Sequence, residues 1–362
     1  MKGKWWALPV VVLWLGLAIW CWLRPSDASS LSERRPLAQA PELQGEKLLD
    51  GSFMTEFEDY TLDQFPLRDR FRTLKALVHY NVLRQLDNNG IYLAEGQAAQ
   101  VEYPLSQSAV DHAAQVITHV IERNLQDSRV YFALVPDKGY YLAEANGYLA
   151  MDYEALTSSL KEQLPGVSYV NLEGLLDQGD YYRTDTHWRQ EQLLPVAQTL
   201  CQAMGVAAPK AEDFTEKTLE KPFYGVYYGQ AALPMEPDTL KYLESSTLSQ
   251  CQVYNFETGK YGAVYDLTKL DEPDLYEVFL SGPVSLLRIE NPQATTDREL
   301  ILFRDSFGSS LAPLLMQGYK TITLVDLRYV SSAMLDRFLD FHGQDVLFLY
   351  STLVLNNSQQ MR

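Results

Sequence analysis

One short stretch constrains this chain more than any other. Leu300-Ile301-Leu302-Phe303 is a continuous apolar run that ends abruptly in Arg304-Asp305-Ser306. Small residues follow, and then the apolar segment Leu311-Ala312-Pro313-Leu314-Leu315-Met316. A strand without polar alternation is buried on both faces, as in a parallel sheet covered by helices. The pattern therefore predicts a strand, a sharp turn and a helix. Ligands of open α/β sheets bind beyond the carboxyl ends of such strands, and Ser306 falls at that end. Unpaired backbone N–H groups at the start of the next helix can hold an oxyanion there. A serine at a helix start is ordinarily a cap, so Ser306 gains a chemical reading only if a base can reach it.

A second stretch supplies one. Tyr181-Tyr182-Arg183-Thr184-Asp185-Thr186-His187-Trp188 places a carboxylate two residues before one of the chain's five histidines. A serine nucleophile needs a base to take its proton, and the base needs a partner that fixes its tautomer. His187 and Asp185 can fill those two roles if the fold brings them to Ser306. As a structural reading, Asp185 is a turn or cap residue and Trp188 packs against the next helix. Tyr182, Trp188 and Arg328 are the candidates for substrate contact. Arg328 follows the apolar run at residues 321–325, so its guanidinium belongs near the same sheet edge, where a salt bridge to Asp326 is an equal reading.

Together these stretches resemble the SGNH-hydrolase-like proteins of the alginate O-acetyltransferase group and the related DHHW proteins. The motif that names the DHHW group reads Asp185-Thr186-His187-Trp188 here, with Thr186 in place of the first His, closer to the alginate-acetylating version. Arg304 stands where a Gly commonly precedes Asp-Ser in the wider SGNH group, and DHHW proteins resemble the chain in having a basic residue there. Asp63-Gln64-Phe65-Pro66-Leu67-Arg68-Asp69, Asn89-Gly90-Ile91-Tyr92-Leu93, Val135-Pro136-Asp137-Lys138 and the segment at residues 322–329 resemble further blocks in the same order. The resemblance implies an SGNH-hydrolase-like α/β fold, with a mostly parallel sheet flanked by helices. It also implies transfer or removal of an acetyl-type acyl group on a cell-surface polysaccharide, with Ser306 as nucleophile, His187 as base and Asp185 as its orienting acid.

Composition narrows the partners. The formal net charge of -17 argues against nucleic acid, which needs a basic face. A hydrophobic content of 46% supports a sizeable core. No phosphate loop or dinucleotide fingerprint is visible, and neither Cys spacing nor a His cluster suggests a metal, so no cofactor is expected. Cys201 and Cys251 could pair within the folded domain, which sequence does not decide.

At the N-terminus, residues 5–23 carry no charge. They follow Lys2 and Lys4 and have Trp5, Trp6, Trp20 and Trp22 near their ends. Such a run is expected to be an uncleaved single-pass anchor, with a cleaved signal peptide as the rival. The expected organisation is an anchor at 1–25, a polar linker at 26–48 and an extracytoplasmic domain at 49–362, with an irregular insertion or small lobe at about 206–292. The expected partners are the membrane, a surface glycan and a membrane protein that exports acyl groups. The Tyr-rich stretch at 223–229 could stack on sugar rings, although tyrosines in β structure more often only pack. The alternative reading of the whole is a non-catalytic carbohydrate-binding or scaffolding protein of a glycan export or modification complex.

Overall fold

The computed structural model describes residues 7–30 and 32–362. They divide into two compact units: one up to Asn89 with Tyr228–Met235, the other comprising Gly90–Tyr227 and Glu236–Arg362.

The larger unit is built on one eight-stranded sheet. In chain order its strands are β1 (Arg129–Val135), β2 (Ser168–Val170), β3 (Gln252–Asn255), β4 (Lys260–Gly262), β5 (Leu286–Glu290), β6 (Glu299–Arg304), β7 (Thr321–Val325) and β8 (Asp345–Ser351). Across the sheet they run β4-β3-β5-β7-β6-β8-β1-β2. The pairs from β7 through β6, β8 and β1 to β2 are parallel, whereas β4, β3, β5 and β7 are joined antiparallel. The sheet is therefore mixed, which corrects the expected mostly parallel one. The antiparallel side comes from the region expected to be irregular. Its strands are short and interleaved with polar residues, so no apolar run announces them.

The parallel strands are apolar on both faces because both faces are covered. Leu300, Leu302, Leu347 and Leu349 enter one core with the helix Leu194–Met204. Ile301, Phe303, Val346 and Phe348 enter a second core with the helices Gln107–Asn124 and Tyr153–Gln163. This is the period-two alternation of a strand expressed in a three-layer unit. The register aligns four strand ends: Phe303 pairs with Phe348 and Val325, and Val135 with Ser351. The segments after β1, β6 and β8 thus leave the sheet along one edge. Cys201 and Cys251 are both buried free thiols.

In the smaller unit the expected membrane-spanning helix is not found. Trp5 and Trp6 lie outside the described residues. The helix described there runs Ala7–Leu23, 17 residues. Among the described residues no helix is long and apolar enough to cross a membrane. The expected polar linker includes a two-residue strand pair, Ser29–Ser30 with Arg35–Pro36, and the helix Gly45–Leu49. The block at 63–69 is structural. Gln64 is buried, accepts the Asp27 N–H and donates to the carbonyls of Asp27 and Ala38. The Arg35 guanidinium holds the Asp63 carboxyl at about 2, and Arg68 pairs with Glu33.

Leu302 is wholly buried on β6, whereas Leu267 is 47% exposed. Leu302→Ala is expected to lower unfolding free energy by about 2–5 kcal/mol, and Leu267→Ala by no more than about 0.5 kcal/mol. Urea midpoints of the two variants check this.

Candidate active site

The turn after β6 is fixed from three sides. Ser306 adopts helical angles (φ -61°, ψ -24°) at the start of the short helix Phe307–Leu311. Asp305 is wholly buried. One of its carboxylate oxygens accepts the Phe307 N–H at 3.0 Å, and the other the Ser351 N–H at 2.7 Å, stitching the turn to the end of β8. The N–H groups of Gly308 and Ser309 donate to the carbonyls of Asp305 and Ser306. Those three N–H groups are therefore spent, while among the described residues none accepts a hydrogen bond from the Ser306 N–H. Below the turn lies Arg304, 1% exposed. Its guanidinium donates to the Val284 and Asp305 carbonyls and lies 3.8 Å from Asp326.

The loop at 181–188 is a tight hairpin closed by a bridge between Tyr181 and Trp188. Asp185 is wholly buried at its tip. One oxygen, Oδ1, accepts the His187 backbone N–H at 3.0 Å and lies 2.5 Å from the ring Nδ1; Oδ2 accepts the Val226 N–H at 2.8 Å. His187 Nε2 lies 2.7 Å from Ser306 Oγ. A carboxylate only accepts, so Nδ1 is assigned the proton and Nε2 is left to accept the serine O–H. The Tyr276 ring lies parallel to the imidazole, with centroids 3.8 Å apart and planes 9° apart, and Phe307 tilts against it at 4.9 Å. The imidazole can neither flip nor tip without moving an aromatic ring. The arrangement is chemically able to draw a proton from Ser306 through Nε2 while Asp185 steadies the positive charge that forms.

Remote residues set the loop's shape. Asp238 accepts the N–H groups of Arg183 and Thr184, both at 2.8 Å, and the Thr184 hydroxyl at 2.5 Å. Thr184 Oγ1 in turn accepts the Gly225 N–H at 2.8 Å. A Cβ on Gly225 would fall inside the backbone and side chain of Asp185, so only glycine lets the two segments approach this closely.

The structure thus brings Asp185, His187 and Ser306 into one hydrogen-bonded row. Of the three expected substrate contacts, Trp188 and Tyr182 are packed in the interior and Arg328 is paired with a carboxylate. Trp188 and Tyr182 have no exposed surface. Trp188 donates through Nε1 to the Phe307 carbonyl and Ser310 Oγ, packing the hairpin against the helix after Ser306. Tyr182 packs edge-on against Phe223. Arg328 is held by Asp326 through two hydrogen bonds of 2.9 and 2.7 Å, which realises the salt-bridge reading. In the Tyr-rich stretch, Phe223 and Tyr227 are buried and Tyr224 is 39% exposed.

Sequence reasoning missed Asp238, Gly225 and Tyr276. Only Gly225 left a signal, a glycine set among bulky aromatics in Phe223-Tyr224-Gly225-Val226-Tyr227, as close backbone approach demands.

The family model for DHHW proteins matches residues 169–325, a span that includes both the hairpin and the Ser306 turn. Among solved structures the chain is similar to a DHHW family protein from Eubacterium siraeum. The identity is 22% and the TM-score 0.59, covering 76% of this chain and 95% of that one. It is similar to Bacillus cereus PatB1 at 18% identity and a TM-score of 0.58, covering 73% and 96%. With PatB1 carrying a sulfonyl adduct the identity is 18% and the TM-score 0.56, over 73% and 95%. The fold is shared, and the resemblance to DHHW proteins is borne out. No curated protein matches the chain.

Gly225→Ala is expected to cost about 1–3 kcal/mol through overpacking and to displace Asp185. The downfield proton resonance of His187 Nδ1–H should then shift or vanish in NMR spectra, while Tyr276→Phe, which keeps the stacked ring, should preserve it.

Proposed function

We propose that this DHHW-like chain is a serine-dependent O-acyltransferase or esterase for a small acyl group, most simply acetyl, with a carbohydrate hydroxyl as acceptor. The observation that carries the reading is the row itself: 2.5 Å from Asp185 to His187 Nδ1 and 2.7 Å from His187 Nε2 to Ser306 Oγ. Acetyl and carbohydrate come from the family resemblance, not from a shaped pocket.

In this reading Ser306 Oγ attacks the acyl carbonyl as its proton passes to His187 Nε2. Asp185 keeps the imidazolium in place without taking its proton. The tetrahedral oxyanion forms beside the unengaged Ser306 N–H, a donor already oriented by the turn. Collapse breaks the bond to the leaving oxygen, which takes the proton back from His187 and leaves an acyl-serine. An acceptor hydroxyl then gives its proton to Nε2 and attacks the acyl-serine. The same steps in reverse role release the new ester and restore Ser306. Water in place of the sugar hydroxyl gives hydrolysis, so one machinery serves both outcomes. PatB1 has been seen with a sulfonyl adduct, and sulfonyl fluorides are suitable probes of an activated serine here too.

The wild-type chain is expected to hydrolyse p-nitrophenyl acetate and to gain one phenylmethylsulfonyl group on the Ser306 peptide by mass spectrometry. Ser306→Ala should lose both, with kcat/KM down about 10³-fold or more, and Asp185→Asn should fall by about 10²–10⁴-fold. Equal background rates in wild type and Ser306→Ala, with no adduct, would favour a glycan-binding module instead.

A further inference from the structure

The segment Val135-Pro136-Asp137-Lys138 at the end of β1 has no role in the chemistry above, yet it sends a lysine into the interior. Lys138 is 2% exposed. Its Nζ donates to the Tyr182 carbonyl at 2.9 Å and the Arg183 carbonyl at 3.3 Å. These are the third and second residues ahead of Asp185. The Arg183 carbonyl also accepts the Ala98 N–H at 2.8 Å. On its other side Nζ stands 5.1 Å from the centre of the Tyr227 ring, whose hydroxyl donates to Thr186 Oγ1 at 3.1 Å. The ammonium therefore reaches the backbone just before Asp185 directly, and the residue just after it through one aromatic ring.

The charged and titratable groups that face it come from every element packed around it. Asp137 adjoins it on its own segment, Asp185 lies in the hairpin, Asp238 starts the strand Asp238–Glu244, and the Tyr227 ring lies nearby. Asp137 is already committed to the Gly139 N–H, the Thr352 hydroxyl and the Tyr153 hydroxyl. Asp238 is committed to the Arg183–Thr184 backbone. The lysine's direct hydrogen bonds thus go to hairpin carbonyls, not to the acids.

We propose that Lys138 is a positioning residue for the Asp185–His187 pair: its ammonium ties the backbone ahead of Asp185 to the end of β1 and so sets the carboxylate's place beneath the imidazole. The rate consequences rest on the acyl-transfer reading, whereas the geometric claim does not.

Charge-assisted hydrogen bonds are about twice as strong as neutral ones, so the tie is tightest while the amine is protonated. Burial pushes the Lys138 amine down to about 7, with Asp185, Asp238 and Asp137 opposing that shift; the unfolded chain keeps its proton up to about 10.5. Between these values the unfolded state binds more protons. This residue's contribution to stability therefore rises with pH, while the tie on the hairpin weakens. Stability and activity are driven in opposite directions over one pH window, which a merely structural lysine would not do.

The test uses the full chain and compares wild type with Lys138→Met and Lys138→Arg. Readouts are p-nitrophenyl acetate kinetics from pH 6 to 9, urea midpoints over the same range, and the downfield His187 Nδ1–H resonance. The expected result is a kcat lower by about 10- to 100-fold in Lys138→Met at pH 6.5, with KM unchanged and the resonance displaced. Wild-type kcat should fall above about pH 7 while its urea midpoint climbs, and Lys138→Arg should flatten that fall. The proposal is overturned if Lys138→Met keeps both wild-type kcat and the wild-type resonance. It is also overturned if wild-type activity and stability rise and fall together. Should a variant fail to fold, the opposed wild-type profiles still decide. Should Ser306→Ala prove as active as wild type, the acyl-transfer reading fails, and the resonance comparison alone judges Lys138.

Discussion

The hairpin at 181–188 has almost no ladder of its own, so its buried backbone groups must find partners elsewhere or cost the molecule their desolvation. Asp238 meets most of that need with one carboxylate shared between the N–H groups of Arg183 and Thr184 and the Thr184 hydroxyl. Asp185 accepts from the His187 and Val226 backbones as well as from the imidazole, and Lys138 donates to the Tyr182 and Arg183 carbonyls. One side chain thus both closes the loop and orients the base. The loop cannot relax without stripping a buried acceptor, which is why His187 is held in place by a segment with so little regular structure.

The serine turn is held by a different device. Arg304 occupies the place where the wider SGNH group commonly carries Gly, and the close approach falls four residues on, at Gly308. A Cβ on Gly308 would stand 2.6 Å from Arg304 Cβ, so it is Gly308 that makes room over the arginine stem. The guanidinium then shares Asp326 with Arg328. Removing one member of such a buried group strands a charge, at about 3–5 kcal/mol. The basic residue is thus compatible with the fold only because Asp326, at the end of β7, lies beneath the same turn.

How much of this could be read from the chain alone follows from the range of each interaction. β1, β6, β7 and β8 are apolar on both faces and announce themselves. Asp185 and His187 are two residues apart, so their pairing is local, and Ser306 is marked by the abrupt end of β6. Asp238, Gly225 and Tyr276 act across 40 residues or more of chain, and of the three only Gly225, set among bulky aromatics, carries any local sign of it. Short antiparallel strands such as β4 carry too few residues for a pattern. Trp188 and Tyr182 look like ligand contacts because they flank the motif, but flanking a functional residue in a hairpin also means packing its stem.

Two tolerances meet at the proposed nucleophile. Ser306 is placed by strand register. A slip of β6 by one residue would move it about 3.3 Å and turn Leu302 and Phe303 to the wrong cores. With both faces buried, such a slip is prohibitive, so the serine's position is fixed by apolar burial. His187 is placed by its polar bonds to Asp185, which Val226 anchors in turn, within a loop that Asp238 ties down through Arg183 and Thr184; these bonds depend on charge state and can be loosened without unfolding the sheet. The two halves of the site therefore respond to different perturbations. Core substitutions should disturb the serine only by disturbing the fold, whereas changes in the buried polar groups can spoil the alignment of base and serine while the molecule remains folded.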